Sequence, residues 1–219
     1  PKVGSYVHLD LERIVALKPD LCIAIKDGNP KDVVLRLEDF GIPVYAINPH
    51  NLDTMLDAVR EVGLLLNAPD HAAQMARQLD ERIRNIDGRI LPGAAQPGVF
   101  IQIGVSPIVS AGAGTFIDEL IERAGGRNLA GNATGYPRFS REQVLSLSPD
   151  IIIVTSMARG GVFEEVRDQW LSWKDIPASR NGRVFILDAD KFNRPAPRLV
   201  EGLEQLAKLI QPERFKEVQ

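Results

Sequence analysis

Residues 10–24 read Asp-Leu-Glu-Arg-Ile-Val-Ala-Leu-Lys-Pro-Asp-Leu-Cys-Ile-Ala, and residues 140–154 read Ser-Arg-Glu-Gln-Val-Leu-Ser-Leu-Ser-Pro-Asp-Ile-Ile-Ile-Val. The two stretches are offset by 130 positions throughout. Glu12 matches Glu142, Leu17 matches Leu147, and Pro19-Asp20 matches Pro149-Asp150. A repeat this far apart implies two similar lobes rather than a short-period solenoid. Two such α/β lobes are expected to face each other across a cleft, and clefts between domains bind ligands.

Each copy reads as a short helix feeding a buried strand. Asp10 and Ser140 are suited to be N-caps, because their side-chain oxygens accept from the first free backbone N–H groups. Leu11, Ile14, Val15 and Leu17 follow a helical spacing, as do Val144, Leu145 and Leu147. Pro19 and Pro149 end the helices, since proline disfavours α conformation in the residue before it. The apolar runs 21–25 and 151–155 suit parallel strands covered on both faces.

Outward from the repeat, strands continue to alternate with helices, which predicts parallel α/β sheets. Strands are expected at 44–47, 99–103 and 183–187. Helices are expected at 33–40, 52–66, from Thr115, at 162–171 and at 197–210. Pro69 begins a longer helix, in which Ala72, Met75, Leu79, Ile83, Ile86 and Ile90 recur every three or four residues. At about 20 residues it would be ~30 Å long, a rigid link between lobes. The domain reading is a first lobe at 1–67, a connecting helix at 68–92 and a second lobe at 93–219. The second copy is preceded by a strand and a helix that the first copy lacks. The first lobe is therefore expected to be missing its N-terminal strand–helix unit, which would precede Pro1.

Composition narrows the function classes. A net charge of −3 and no basic tract argue against nucleic acid as a partner. No apolar run approaches the ~18–20 residues of a membrane span. Cys22 lies inside an apolar strand and reads as a small hydrophobe. His8, His50 and His71 are scattered, with no pair at metal-ligand spacing. Gly112-Ala-Gly114 precedes a helix but lacks the remaining residues of a phosphate loop. No nucleophile–base pair or cofactor fingerprint supports an enzyme. A surface receptor acting without a permease is a further alternative.

With these elements in place, the chain resembles the substrate-binding proteins of ABC importers. The resemblance is to the class with two α/β lobes and one rigid connecting helix, which carries vitamin B12, haem and iron siderophores. It rests on Leu11-Glu-Arg-Ile-Val-Ala-Leu-Lys-Pro-Asp20, Gly114-Thr-Phe-Ile-Asp-Glu-Leu-Ile-Glu-Arg-Ala-Gly-Gly-Arg-Asn128 and Ser140-Arg-Glu-Gln-Val-Leu145, and spans essentially the whole chain. Within the class, the B12-binding members are the nearest match.

The resemblance implies a transport protein, periplasmic or lipid-anchored outside the cell, without catalysis or a resident cofactor. Its cargo would be a cobalt corrinoid or an iron complex. Glu12 and Glu142 would project from the lobe tips and dock on arginines of a permease dimer. A glutamate in a first helical turn is also favoured by the helix dipole alone, but two equivalent ones fit docking better.

Ligand-binding loops should follow strand C-termini. That nominates Lys26, Asn29, Gly104, the loop 156–159 and the segment 188–194, together with the loops before the two repeated helices. Tyr6 and Tyr136 stand where the B12-binding members carry tryptophans, and two aromatics clamp a flat macrocycle by stacking. Arg138 lies in the same loop as Tyr136. Asp190, Phe192 and Arg194 resemble the family's segment against the corrin side chains. His8 beside Tyr6 is a minor candidate for an axial ligand. Ile25 replaces a third tryptophan of the B12-binding members, and the loop after Ile103 lacks their phenylalanine. The ligand therefore stays open among cobalamin, a shorter corrinoid, haem and a siderophore.

Overall fold

The structure is a computed structural model, and it describes residues 1–5, 8–26, 28–91, 93, 95–155 and 162–216. The chain divides into two compact units, 1–49 and 50–219. Among the described residues, no helix is long and apolar enough to cross a membrane.

The first unit runs α1 (Leu11–Ala16), β1 (Cys22–Ile25), α2 (Lys31–Asp39) and β2 (Val44–Ile47). The Asp10 carboxylate accepts from the Arg13 N–H at 3.1 Å, as an N-cap should. After α1 the chain does not turn to extended backbone before the proline. Lys18 instead adopts a left-handed conformation, with φ 48°. β1 and β2 are parallel, with Cys22 opposite Val44 and Ile25 opposite Ile47. Ile14, Leu37 and Ile42 form the buried core, with Cys22 and Val44 against it. The expectation that β1 is covered on both faces is not met among the described residues. Side chains alternate across a strand, so Ile23 points away from Cys22's face and is 45% exposed.

The second unit contains, in chain order, α3 (Leu52–Leu65), α4 (Pro69–Asp87), β3 (Gly98–Gln102), β4 (Ile108–Val109), α5 (Phe116–Arg123), β5 (Arg127–Asn128), β6 (Arg138–Phe139), α6 (Arg141–Leu147), β7 (Ile151–Val154), α7 (Val162–Ser172), α8 (Pro177–Arg180), β8 (Val184–Ile186), α9 (Ala189–Phe192) and α10 (Leu199–Ile210). Its main sheet has the order β5-β3-β7-β8, parallel throughout. β3 and β7 are buried along their whole length. Strand alternation divides their side chains between two cores. Val99, Ile101, Ile151 and Ile153 pack with α3, α4, α5 and α10. Phe100, Ile152 and Val154 pack with Val144 of α6 and with Val166 and Trp170 of α7. This is the doubly covered parallel sheet that continuous apolar strands require.

The long helix forms with Pro69 in its first turn and with Ala72, Leu79, Ile83 and Ile86 of the expected stripe buried beside Ala76, but Met75 is 36% exposed and the helix ends at Asp87, before Ile90. The sequence placed α3 in the first lobe, but its packing joins it to the second unit. Leu52, Met55 and Leu56 enter the larger core, and the Glu119 carboxylate of α5 accepts from the Leu52 N–H at 2.8 Å. Arg82 of α4 donates twice to Glu204 of α10, both at 2.8 Å. Hydrogen bonding from Arg82 holds the Glu204 carboxyl below its usual range.

Helix α10 carries the segment before it on Gly202. A Cβ there would lie 2.5 Å from the Lys191 carbonyl oxygen and 3.1 Å from the Phe192 ring. The backbone oxygen has no room to move aside cheaply. Gly202→Ala is therefore expected to destabilise by about 1–3 kcal/mol, the usual cost of overpacking, read as a lower urea midpoint. An unchanged midpoint would show that α9 lifts away freely.

Candidate functional site

In the second unit the parallel strands β3, β7 and β8 end at one edge of the sheet, so their outgoing loops gather there. Such edges are where open α/β sheets bind ligands. The loop after β3 returns at once as β4. Gly104 bridges Val109 in antiparallel fashion. Val109 in turn pairs with Arg138, and Ile108 with Phe139. Gly104 and Arg138 thus sit on one narrow ribbon, two strand spacings or about 10 Å apart. Arg138 is exposed and makes no ion pair among the described residues. Tyr136 lies just before it and is 53% exposed. The turn holding it is closed by the Gly112 N–H donating to the Gly135 carbonyl at 2.7 Å.

The loops after β7 and β8 are tied together where Thr155 Oγ1 donates to Asn193 Oδ1 at 3.0 Å. Short α9 starts at Asp188, whose carboxylate accepts from the Asp190 N–H at 2.9 Å. Asp190 and Arg194 form a loose pair, 3.6 Å apart, with both side chains more than half exposed. Both are open to a ligand. Phe192, between them in sequence, is not. Its ring is fully buried in the larger core, so it anchors α9 and offers no face to solvent.

In the first unit, Lys26 is exposed in the turn after β1. Asn29 Oδ1 accepts from the Ile25 N–H at 2.8 Å, folding that turn back on its strand. This oxygen is engaged in holding the loop. Tyr6 and residues 156–159 lie outside the described residues. His8 is exposed, and its backbone N–H donates to Ser5 Oγ at 3.1 Å. Among the described residues no group of three or more His, Cys, Asp or Glu side chains is placed to hold a metal ion. The glycine pair before α5 is a poor phosphate seat, because Asp118 and Glu119 occupy the first turn of that helix and would repel an anion.

Glu12 and Glu142 are both exposed in the first turn of their helices. Around Glu142 the local frame is tight. The Gln143 N–H donates to Ser140 Oγ at 3.2 Å, and the Ser140 N–H donates to Gln143 Oε1 at 2.6 Å. The Glu142 carboxyl is held below its usual range by its own backbone N–H, then by the Ser140 hydroxyl, with Arg141's charge adding to both. Ser140→Ala removes the cap and one of these bonds. It is expected to cost about 0.5–2 kcal/mol of stability and to move the Glu142 midpoint upward in a carboxyl NMR titration. A midpoint that stays put would remove the hydroxyl from this account.

Two polar residues at the sheet edge went unnoticed in the sequence, Gln102 and Thr155, while Asn193 lies within the nominated segment 188–194. Gln102 is the one with a visible signal, an amide closing an otherwise apolar strand.

A model of a family described as periplasmic binding protein matches residues 1–191. A vitamin B12-binding protein of Salmonella typhimurium is 31% identical over 210 residues, 95% of this chain and 76% of that protein. A substrate-binding lipoprotein of an ABC transporter from Bacillus subtilis, itself uncharacterised, is 29% identical over 222 residues, 99% of this chain and 69% of that protein. Among solved structures, a periplasmic haem-binding protein of Pseudomonas aeruginosa superposes with a TM-score of 0.86 at 28% identity, covering 97% of this chain and 79% of the other. A periplasmic vitamin B12-binding protein of Vibrio cholerae gives 0.84 at 25% identity, covering 98% and 83%.

Proposed function

Since this chain belongs to the periplasmic binding protein family, whose members are transport components and not enzymes, we propose that it captures a corrinoid of the vitamin B12 type for an ABC importer. The observation carrying the corrinoid reading is the 31% identity to a B12-binding protein across 95% of the chain. The exposed edge of the second unit is compatible with it. Tyr136 supplies a half-exposed aromatic side chain, Gly104 a backbone without a side chain in the way, and Asp190, Arg194 and Arg138 a set of donors and acceptors for rim amides. Lys26 and Tyr6 are the candidates on the first unit. The cobalt arrives as cargo.

Haem or another anionic iron complex is the second reading, and one feature favours it. The guanidinium of Arg138 is unengaged among the described residues, and a guanidinium matches carboxylates in a bidentate fork. Haem carries carboxylates on its rim, whereas corrin side chains end in neutral amides.

Delivery would proceed through Glu12 and Glu142, one on each unit, meeting arginines of a permease dimer outside the cytoplasmic membrane. The protein would be free in the periplasm or held by a lipid. Calorimetry with cyanocobalamin, cobinamide and hemin tests the ligand. Tight one-to-one binding of either corrinoid supports the first reading. Heat with hemin alone supports the second. No heat with any of the three overturns the corrinoid and haem readings and moves the ligand to an iron siderophore.

A further inference from the structure

The chain has two tryptophans, and both line one small cavity of about 40 Å3 in the second unit. Gln102 forms part of its wall and is 2% exposed. Its Nε2 donates to the Gly104 carbonyl at 3.0 Å. Its Oε1 accepts from the Trp170 indole N–H at 2.7 Å. One turn on, Trp173 lies beneath the guanidinium of Arg141, whose Cζ is 5.9 Å from the ring centroid. Arg141 also reaches Gln169 Oε1 with Nη2 at 3.4 Å. Arg141 is the first residue of α6, and Glu142 follows it.

The two ends of this chain of contacts belong to different tasks. Gly104 lies in a ligand loop, and Glu142 is the docking residue. Gln102 is held at both ends, and moving it leaves the Trp170 indole N–H without its partner, while the Gly104 carbonyl keeps only its longer bond from the Val109 N–H at 3.4 Å. A ligand pressing on the Gly104 backbone therefore acts on Gln102 only in the bound state, and such a difference between states is what coupling requires. The contacts run without a break from Gly104 to α6 and so supply a route; the coupling along it is what the experiment below reads.

We infer that Gln102 is a positioning residue that links the ligand loop at Gly104 to the docking helix α6 through Trp170, Trp173 and Arg141, so that occupancy alters the face presented at Glu142. This rests on the transport reading above. A rival route exists in the backbone itself, because β6 runs directly into Ser140 and α6. The experiment must separate the two.

Two tryptophans give two indole N–H signals by NMR, one near each end of the relay. Cyanocobalamin is the first probe, and gallium(III) protoporphyrin, a diamagnetic stand-in for haem, is the second. In the parent protein, loading is expected to shift both indole signals and the Glu142 amide. In Gln102→Met, calorimetry should still register binding, but the shifts at Trp173 and Glu142 should be lost. In Arg141→Ala, Trp170 should still move while Glu142 does not. Arg141 is exposed, so this second variant carries the test if the first fails to fold. A Glu142 shift that survives the substitutions overturns the proposal in favour of the backbone ribbon, and so does a loaded parent whose Glu142 amide never moves. Failure of the parent to bind either probe is a different result. It removes the ligand reading, and the relay falls with it.

Discussion

Phe192→Ala is expected to destabilise the second unit by about 3–5 kcal/mol, the usual cost of deleting a buried phenyl ring. For a chain of this length that corresponds to a melting point lower by roughly 6–20 °C. Arg194→Ala, two residues away, should leave stability within about 0.5 kcal/mol, as exposed substitutions do. The contrast follows from burial. The Phe192 ring is fully enclosed in the larger core and rests against Gly202 of α10, whereas the Arg194 side chain is 65% exposed and only loosely paired. Ligand affinity should show the opposite ranking at temperatures where both variants are folded. Arg194→Ala should weaken binding directly, and Phe192→Ala only as far as α9 loosens. Thermal denaturation by circular dichroism and calorimetric titration of the same two proteins decide it. A Phe192→Ala protein as stable as its parent, but unable to bind, would return the ring to the ligand.

The second large effect concerns transport. Glu12→Ala and Glu142→Ala are each expected to weaken permease docking by about 2 kcal/mol or more, the low end for truncating one partner of a close interfacial charge pair. That is roughly 30-fold each and near a thousand-fold together if the two ends act independently. Ligand affinity should not change, because both carboxylates are exposed on first turns of helices. Stability should change little, since both side chains are exposed in first helical turns and Glu142 gives up only its local bonds to its own N–H and the Ser140 hydroxyl. Uptake of labelled ligand into cells or proteoliposomes, beside calorimetry on the purified variants, is the measurement. Normal uptake by the double variant would reduce both glutamates to helix-end residues.

Much of the architecture was legible because it is set locally. The apolar run of β7 demanded cover on both faces and received it, and Asp10 and Ser140 cap the helices they precede. The long periodic stretch after Pro69 forms a helix of 19 residues. What escaped notice depends on partners distant in sequence. Helix α3 joins the second unit through Glu119, 67 residues further on, which no pattern within the helix reveals. Strands β4 and β6 have two residues each, too short for any alternation to register, yet they align Gly104 with Arg138. Phe192 stands alone in a polar stretch and reads as a surface aromatic. Its burial depends on the bare backbone of Gly202, ten residues later. For the candidate site, Lys26 and Gly104 do follow strands, whereas the segment 188–194 folds into short α9 and Arg138 lies in β6. Which side chains open outward was decided by packing.

The left-handed residue at the end of each repeated helix has a meaning for the history of the chain. Lys18 and Ser148 are unlike in size and charge, and neither is the glycine that such a backbone favours. Yet they occupy matching positions, with φ of 48° and 49°, and each N–H donates to the carbonyl three residues back at 3.0 Å. If the two copies descend from one ancestral half, substitution has erased the residue there while the dihedral angle has been inherited. Kinship between such halves is then better measured in torsion space than by residue identity, and the bend before the proline is an older character than the side chain that now occupies it.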